Sequence, residues 1–142
     1  MSRKNPVYKL LDHTADLGIR IQAESLEVLW KHSARVLMHL LLKGKSSEKA
    51  TPLRITLSGS DLEDLLVRWL GEILYLFEGK GLVTKETKID FLSEFALKAT
   101  VYTIPFDKEK FDIIREIKAV TYHQTKIIRT GKTWEAQVIF DL

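Results

Sequence analysis

The chain has 142 residues, of which 45% are hydrophobic and 29% charged, and its formal net charge is +3. This composition is typical of a globular protein with one hydrophobic core, so we expect a single domain over residues 1–142. The chain contains no cysteine, which excludes disulfides, thiolate zinc sites and cysteine nucleophiles.

Targeting and membrane-spanning patterns are also missing from the sequence. The first residues lack the apolar run of a signal peptide, and no apolar stretch approaches the length of a membrane span. We therefore expect a cytoplasmic protein that does not contact membranes. The small positive charge is compatible with a phosphate-containing partner, but no basic and aromatic cluster predicts direct sequence-specific binding of nucleic acid.

The N-terminal part of the chain changes from strand to helix periodicity. Residues 7–11 are strand-like, and residues 18–23 alternate between apolar and polar side chains, which predicts a second strand. An amphipathic helix follows, for which Ser25 is a suitable N-cap. Residues 43–47, Lys-Gly-Lys-Ser-Ser, are predicted to end this helix and to form a solvated loop. The apolar stripe of the helix consists of Leu26, Leu29, Trp30, Ala34, Leu37, Leu40 and Leu41.

A third strand and a second helix are predicted in the middle of the chain. The strand covers residues 52–58. The helix opens with a capping box, in which Ser60 is the N-cap and Glu63 lies three residues later, and Gly79 and Gly81 end it. Its buried stripe consists of Leu62, Leu65, Leu66, Trp69, Leu70, Ile73 and Phe77.

The rest of the chain is predicted to form strands without helical crossovers. Residues 105–116 are charged and are predicted to be a loop, and residues 130–132 are predicted to form a hairpin turn. The order of elements predicts an α+β fold, with two amphipathic helices packed on one mostly antiparallel or mixed β-sheet. The four C-terminal strands are predicted over residues 82–91, 95–104, 121–129 and 134–140.

Two acidic segments lie near opposite ends of the sequence. Residues 12–16 read Asp-His-Thr-Ala-Asp in a strand junction, and Asp141 follows the last strand on the face opposite its apolar residues. Together with a terminal carboxylate at Leu142, these acids would require a cation, a proton or a basic partner. Taken separately, they are explained equally well by an Asx-type turn, a structural histidine at His13 and a solvated chain end. The pattern alone does not show whether the two segments meet.

Lys118 lies between apolar neighbours just before the penultimate strand. Its ammonium group must reach either solvent or an anion. One interpretation is an edge-strand lysine that prevents unwanted strand pairing. The other is a lysine that contacts a phosphate or a carboxylate.

Complete catalytic motifs are missing from the sequence. There is no glycine-rich phosphate loop, no G-x-S-x-G and no H-E-x-x-H, and the four histidines are scattered. We therefore expect that the protein is not an enzyme. A metal-dependent hydrolase is the remaining catalytic alternative, for which His13 is the candidate base beside the acids.

Several blocks of the sequence resemble the archease family, in the same order and over essentially the whole chain. The most specific are the Asp-His-Thr-Ala-Asp block at residues 12–16 and the Lys-Ala-Val-Thr-Tyr-His block at residues 118–123. The others are residues 17–19, 25–27, 65–66, 69–70 and 141–142.

This resemblance implies a non-catalytic accessory protein. Its partner would be the tRNA-splicing RNA ligase that joins 2′,3′-cyclic phosphate and 5′-hydroxyl ends, and it would promote guanylylation of the active-site histidine of the ligase and multiple turnover. The alternative that the family implies is a chaperone-like modulator of RNA-processing proteins, such as a tRNA methyltransferase.

The resemblance also implies a set of site residues. It assigns Asp16, Asp141 and the carboxylate of Leu142 as ligands of a divalent cation, Ca²⁺ in the first place, with Mg²⁺ or Mn²⁺ as alternatives. Asp12 and His13 would lie around these ligands, and Lys118 would be functionally important. Leucine stands at the last position where the resemblance leads us to expect isoleucine, but the ligating group there would be the backbone carboxylate.

Overall fold

The computed structural model describes residues 7–11 and 16–142. The two helices and the short N-terminal hairpin come early, and most of the strands follow them. In chain order the elements are β1 (Lys9–Leu11), β2 (Asp16–Ala23), α1 (Leu26–Leu41), β3 (Leu42–Gly44), β4 (Thr51–Ser58), α2 (Leu62–Lys80), β5 (Leu82–Leu92), β6 (Ala96–Pro105), β7 (Phe111–Ile113), β8 (Ala119–Thr130) and β9 (Thr133–Asp141).

The predicted α+β class is confirmed, since the described residues form two helices and antiparallel strand pairs. The expectation of one sheet is corrected, because the strands form three sheets, in the orders β1-β2-β9-β8, β3-β7 and β4-β6-β5. The alternation of apolar residues predicts which face of a strand is buried, but it does not determine which strands pair.

Two segments predicted as loops each contain a short strand. Strand β3 begins directly after α1, and β7 lies within residues 105–116; the two pair along three residues. Gly44 ends β3 at φ +128°, and a Cβ atom there would collide with the carbonyl oxygen of Lys110. Strands β3 and β7 have only three residues each and lie in segments rich in charged or turn-forming residues, so they show no recognisable period and the sequence did not predict them.

The N-cap prediction is confirmed for α1 and wrong for α2. In α1, the Ser25 side chain accepts a hydrogen bond from the Val28 amide at 3.2 Å. In α2, the N-cap is Asp61, which accepts from the Asp64 amide at 2.7 Å, whereas Ser60 donates to the Asp64 carboxylate. Serine and aspartate are both good N-caps, so a Ser-Asp pair leaves the choice open by one residue.

The hydrophobic core lies between the helices and the sheets. Helix α1 contacts β2 and β5, α2 contacts β5 and β8, and the two helices contact each other. Trp30 and Trp69 are fully buried, and the Trp69 indole nitrogen donates to the Trp30 carbonyl oxygen at 3.0 Å. In the described part of the chain, no helix is long and apolar enough to cross a membrane.

Candidate metal centre

Four strand termini meet at one end of the four-stranded sheet. Because all neighbouring strands of this sheet are antiparallel, β1 ends where β2 begins, and β9 ends where β8 begins. The register pairs Asp16 with Asp141, and on the other side of β9 it pairs Ala119 with Asp141. Leu11, the last residue of β1, and Asp16, the first residue of β2, therefore both lie at this end.

The Asp16–Asp141 pair places two carboxylates on the same face of the sheet. Val138 and Phe140 of β9 are fully buried on the core face, so the Asp141 side chain lies on the opposite face, where it is exposed. Asp16 is half-buried. Residues directly opposite in an antiparallel pair have Cβ atoms about 4.5–5.5 Å apart, and like charges there are destabilising. The pairing therefore concentrates negative charge that a cation would neutralise.

The end of β9 is held by main-chain contacts. The Lys118 amide donates to the Asp141 carbonyl oxygen at 2.8 Å. The Lys118 side chain is exposed and forms no ion pair with another described residue. Lys118 precedes the edge strand β8 directly, so the edge-strand interpretation and the anion-contacting interpretation both fit its position.

The remaining candidate residues are placed only in part. Leu142 directly follows Asp141 and is 39% exposed, whereas Asp12 and His13 lie outside the described residues. Residues 7–11 and 16–142 contain no group of three or more histidine, aspartate or glutamate side chains that could hold a metal. The candidate donors that the structure brings together at this end are thus the side chains of Asp16 and Asp141. Such hard oxygen donors fit Ca²⁺ or Mg²⁺.

A hydrogen-bonded cluster around Asp64 was not predicted from the sequence. Its carboxylate accepts from the Tyr122 hydroxyl at 2.7 Å, from the Arg68 Nε at 3.0 Å and from the Ser60 amide at 2.9 Å. The Tyr122 bond, followed by the Ser60 and Arg68 contacts, lowers the pKa of Asp64 to about 2. The same bond raises the pKa of Tyr122.

This cluster joins the first turn of α2 to β8. It does so where the pairing of β8 with β9 shifts between Thr121 and Lys126, next to Gln124 at φ 52°. The only feature of the sequence that pointed to Tyr122 is its place in the Lys-Ala-Val-Thr-Tyr-His block. Its partner lies 58 residues away, a distance over which periodicity carries no information.

Comparison with known proteins gives a consistent result. A family model described as the archease protein family matches residues 8–142. The chain is 34% identical over 146 residues to the protein archease of Methanosarcina barkeri, with 100% of both chains covered. The solution structure of a protein from Methanobacterium thermoautotrophicum superimposes with a TM-score of 0.75 at 28% identity and covers 95% of this chain and 98% of that one.

A second solved structure agrees in fold. The crystal structure of an archease from Thermotoga maritima, described as a possible chaperone, superimposes with a TM-score of 0.65 at 24% identity and covers 100% of this chain and 99% of that one. At this identity the likeness shows the fold alone. The family model and the Methanosarcina relative go further, because they match nearly the whole sequence, and they show that this chain belongs to the archease family.

Proposed function

We propose that this archease-family chain is a cytoplasmic, non-catalytic activator of the tRNA-splicing RNA ligase that joins 2′,3′-cyclic phosphate and 5′-hydroxyl ends. It promotes guanylylation of the active-site histidine of the ligase and sustains multiple turnover through a carboxylate-bound divalent cation. The single observation that supports the cation best is the direct pairing of Asp16 with Asp141 at the end of the sheet.

Asp16, Asp141 and the carboxylate of Leu142 would hold the cation, with Asp12 and His13 beside them. When bound, the cation supplies positive charge that stabilises phosphate oxygens. Ca²⁺ fits oxygen donors of this kind, as do Mg²⁺ and Mn²⁺. Neutralising two carboxylates that face each other would also relieve their repulsion, so cation binding and the stability of this strand end should rise together.

In this mechanism, the role of the chain is to hold the carboxylate ligands of the cation in place. Asp141 is fixed on both sides of β9, by pairing with Asp16 and by the Lys118 amide at 2.8 Å. Its side chain is nevertheless exposed, so a partner can approach the donors without unfolding the strand. The exposed Lys118 ammonium provides a second positive charge at the same end for the phosphates of the nucleotide that the ligase binds.

Replacement of Asp141 by asparagine tests this function. We expect Asp141→Asn and Asp141→Ala to abolish stimulation of ligase guanylylation, because either change removes one of the two facing carboxylates. The fold should be retained, since the side chain is exposed. The matched control is Asp112→Asn, which removes an exposed aspartate from β7. Full stimulation of histidine guanylylation by the Asp141 variants would refute the cation mechanism.

A chaperone-like modulator, acting for instance on a tRNA methyltransferase, is the second candidate. Ile113 and Ile114 favour it, because they are adjacent and 58% and 51% exposed, and exposed apolar side chains are suited to holding a protein partner. Titration of Ca²⁺, Mg²⁺ and Mn²⁺ in the presence of chelator separates the two functions. An apolar contact surface should be insensitive to the cation, whereas activation through Asp16 and Asp141 should depend on it.

A hydrolase that acts alone is tested by assays on the isolated protein. We expect no phosphatase or nuclease activity with Ca²⁺, Mg²⁺ or Mn²⁺ present, because the proposed role is to position a cation and not to carry out a chemical step. Turnover that disappears in Asp141→Asn would instead assign catalysis to this chain.

A further inference from the structure

A groove between the end of α1, the β3–β7 pair and the start of β5 is lined by residues that the proposed function does not use. Its volume is about 470 Å³, within the range of about 300–1,000 Å³ typical of small-molecule sites. It shares no lining residue with the acidic end of the four-stranded sheet. Its floor is apolar and consists of Met38, Leu42, Val83 and Phe111, each no more than 9% exposed.

The polar lining of the groove is basic or hydroxylic. Lys45, Lys85 and His39 contribute the groups that can carry positive charge, Ser46 contributes a hydroxyl, and no aspartate or glutamate is among the described residues that line it. An apolar floor with a positive rim favours a ligand that has a ring or another apolar body and an anionic group.

An irregularity in β5 brings three consecutive residues to this groove. The pairing of β5 with β6 shifts between Thr84 and Glu86, so Lys85 is an additional residue in the strand. Side chains of a regular strand alternate between its faces, yet Val83, Thr84 and Lys85 all line the groove. Bulges commonly redirect side chains beside binding sites.

Thr84 carries an unused hydrogen-bonding group. The residue is 8% exposed, and its hydroxyl has no hydrogen-bond partner among the described residues. A buried hydroxyl without a partner is unfavourable, and native structures contain few of them. The hydroxyl oxygen has almost no accessible surface, so a ligand oxygen in the groove would reach it only after the Thr84 side chain turned.

The C-terminal end of α1 borders the groove, and the partial negative charge of a helix C-terminus would normally repel an anion. Here that repulsion is reduced. The last carbonyl groups of α1 are occupied: the Arg115 guanidinium donates to the Leu40 oxygen at 2.9 Å, and the Ile114 amide donates to the Leu41 oxygen at 2.9 Å. The Leu42 amide donates to the Met38 oxygen. The Arg115 charge also compensates the negative end of the helix dipole.

We propose that this groove binds an organic phosphate of mononucleotide size. The base or ring lies on the Met38 and Phe111 floor, and the phosphate meets Lys45, Lys85 and the Ser46 hydroxyl. The Lys85 ammonium already donates to the Glu48 carbonyl oxygen at 3.1 Å, which holds the side chain at the rim. Because an ammonium group has three N–H donors, it can contact a phosphate while it keeps this bond.

Calorimetric titration of the full chain at low salt tests the proposal, with AMP, adenosine and inorganic phosphate as probes. We expect AMP to bind at least about tenfold more tightly than either fragment, because only AMP contacts both floor and rim, and tenfold corresponds to about 1.4 kcal/mol. Added salt should weaken AMP binding, since the lysine contacts are screened.

Variants locate the site. Thr84→Val keeps the side-chain shape and removes a hydroxyl that the groove does not reach, so AMP binding should be unchanged while the thermal unfolding midpoint stays equal or rises. Lys85→Met should weaken AMP binding about tenfold, and so should Lys45→Met, which replaces an exposed side chain. The matched control Lys132→Met removes the same charge from the turn after β8, and it should leave binding unchanged.

Four results would each overturn the proposal. They are no heat of AMP binding at millimolar concentration, phosphate binding as tight as AMP binding, adenosine binding as tight as AMP binding, and equal losses in Lys85→Met and Lys132→Met. None of these measurements involves the ligase or a divalent cation. The inference can therefore fail while the proposed function stands, or stand while that function fails.

Discussion

At the scale of single residues, the Asp64 carboxylate accepts hydrogen bonds from three different residues, Tyr122, Arg68 and Ser60. The Tyr122 bond is the longest-range of these and connects α2 to β8. We expect Tyr122→Phe to lower the free energy of unfolding, because the bond to a charged acceptor is lost while the ring remains. Urea denaturation at neutral pH measures this. Tyr75→Phe, which removes a hydroxyl from a tyrosine that is 53% exposed, is the control and should be neutral.

The same pair predicts a pH dependence. The pKa of Asp64 is lowered from 3.8 to about 2, chiefly by the Tyr122 hydrogen bond. A carboxyl group with a lowered pKa stabilises the folded state fully above its unfolded value, and this contribution is lost as the pH falls through the folded value. The difference in unfolding free energy between the wild type and Tyr122→Phe should therefore be constant between pH 3.8 and pH 10 and shrink towards pH 2, and it should shrink again as the pH rises through the raised pKa of Tyr122. A difference that grows on acidification would contradict the assignment.

Some of these residue positions can be predicted from the sequence, and others cannot. The burial of Val138 and Phe140 follows from alternation along a single strand, but Ile139, on the same face as Asp141, is also fully buried, so alternation alone does not explain why Asp141 is exposed. The proximity of Asp16 to Asp141 came from family resemblance, and register now confirms it. Nothing local could have paired Tyr122 with Asp64, because that contact depends on how α2 packs against β8.

At the scale of elements, the start of α2 is set by Asp61 and not by Ser60. We expect Asp61→Ala to destabilise the protein by about 1 kcal/mol, because it removes the acceptor of the Asp64 amide at 2.7 Å. Ser60→Ala should cost about 0.5 kcal/mol or less, since the Ser60 amide still donates to Asp64. Urea denaturation of both variants measures these losses. If Ser60→Ala were the more destabilising change, Ser60 would be the N-cap, as predicted from the sequence.

Two glycines in different elements give opposite predictions. Gly44 has φ +128° and no room for a Cβ beside the Lys110 carbonyl, so Gly44→Ala should destabilise the β3–β7 pair by at least about 1–3 kcal/mol. Gly71 lies inside α2, and a Cβ atom added there would have nothing within 4 Å, so Gly71→Ala should stabilise by about 0.5–1 kcal/mol. Thermal unfolding of the two variants checks both signs, and a stabilised Gly44→Ala would mean that β3 and β7 do not approach closely.

The short strands and the division into three sheets were not predicted for one common reason, which is that they depend on pairing between distant segments. The sequence predicted the helices and long strands well, because six or more residues of regular period were available in each. It missed β3 and β7, which have three residues each, and it merged three sheets into one. Strand pairing depends on contacts between distant segments, such as β2 with β9, and single-segment patterns do not encode them.

At the scale of the whole molecule, the last strand holds the largest sheet together. Strand β9 lies between β2, from the beginning of the chain, and β8, which precedes it. It also contributes Ala136, Val138 and Phe140 to the core, each fully buried. The candidate metal centre is thus a direct consequence of the topology, since its two aspartates come together only when the final strand is inserted beside the first hairpin.

This arrangement predicts different outcomes for two truncations. A chain that ends at residue 132 lacks β9, so β2 and β8 lose their shared neighbour, and we expect no cooperative unfolding transition. A chain that ends at Phe140 keeps the buried residues of β9 and loses the pairing of Asp141 with Asp16 and Ala119, together with the hydrogen bond from the Lys118 amide, so it should fold with a loss of about 1 kcal/mol or somewhat more. Urea denaturation followed by tryptophan fluorescence distinguishes them, because Trp30 and Trp69 are buried in the intact core. If the chain that ends at residue 132 unfolded as cooperatively as the full chain, β9 would not be needed to join β2 to β8. The pairing of Asp16 with Asp141 would then not be the structural basis of the acidic site.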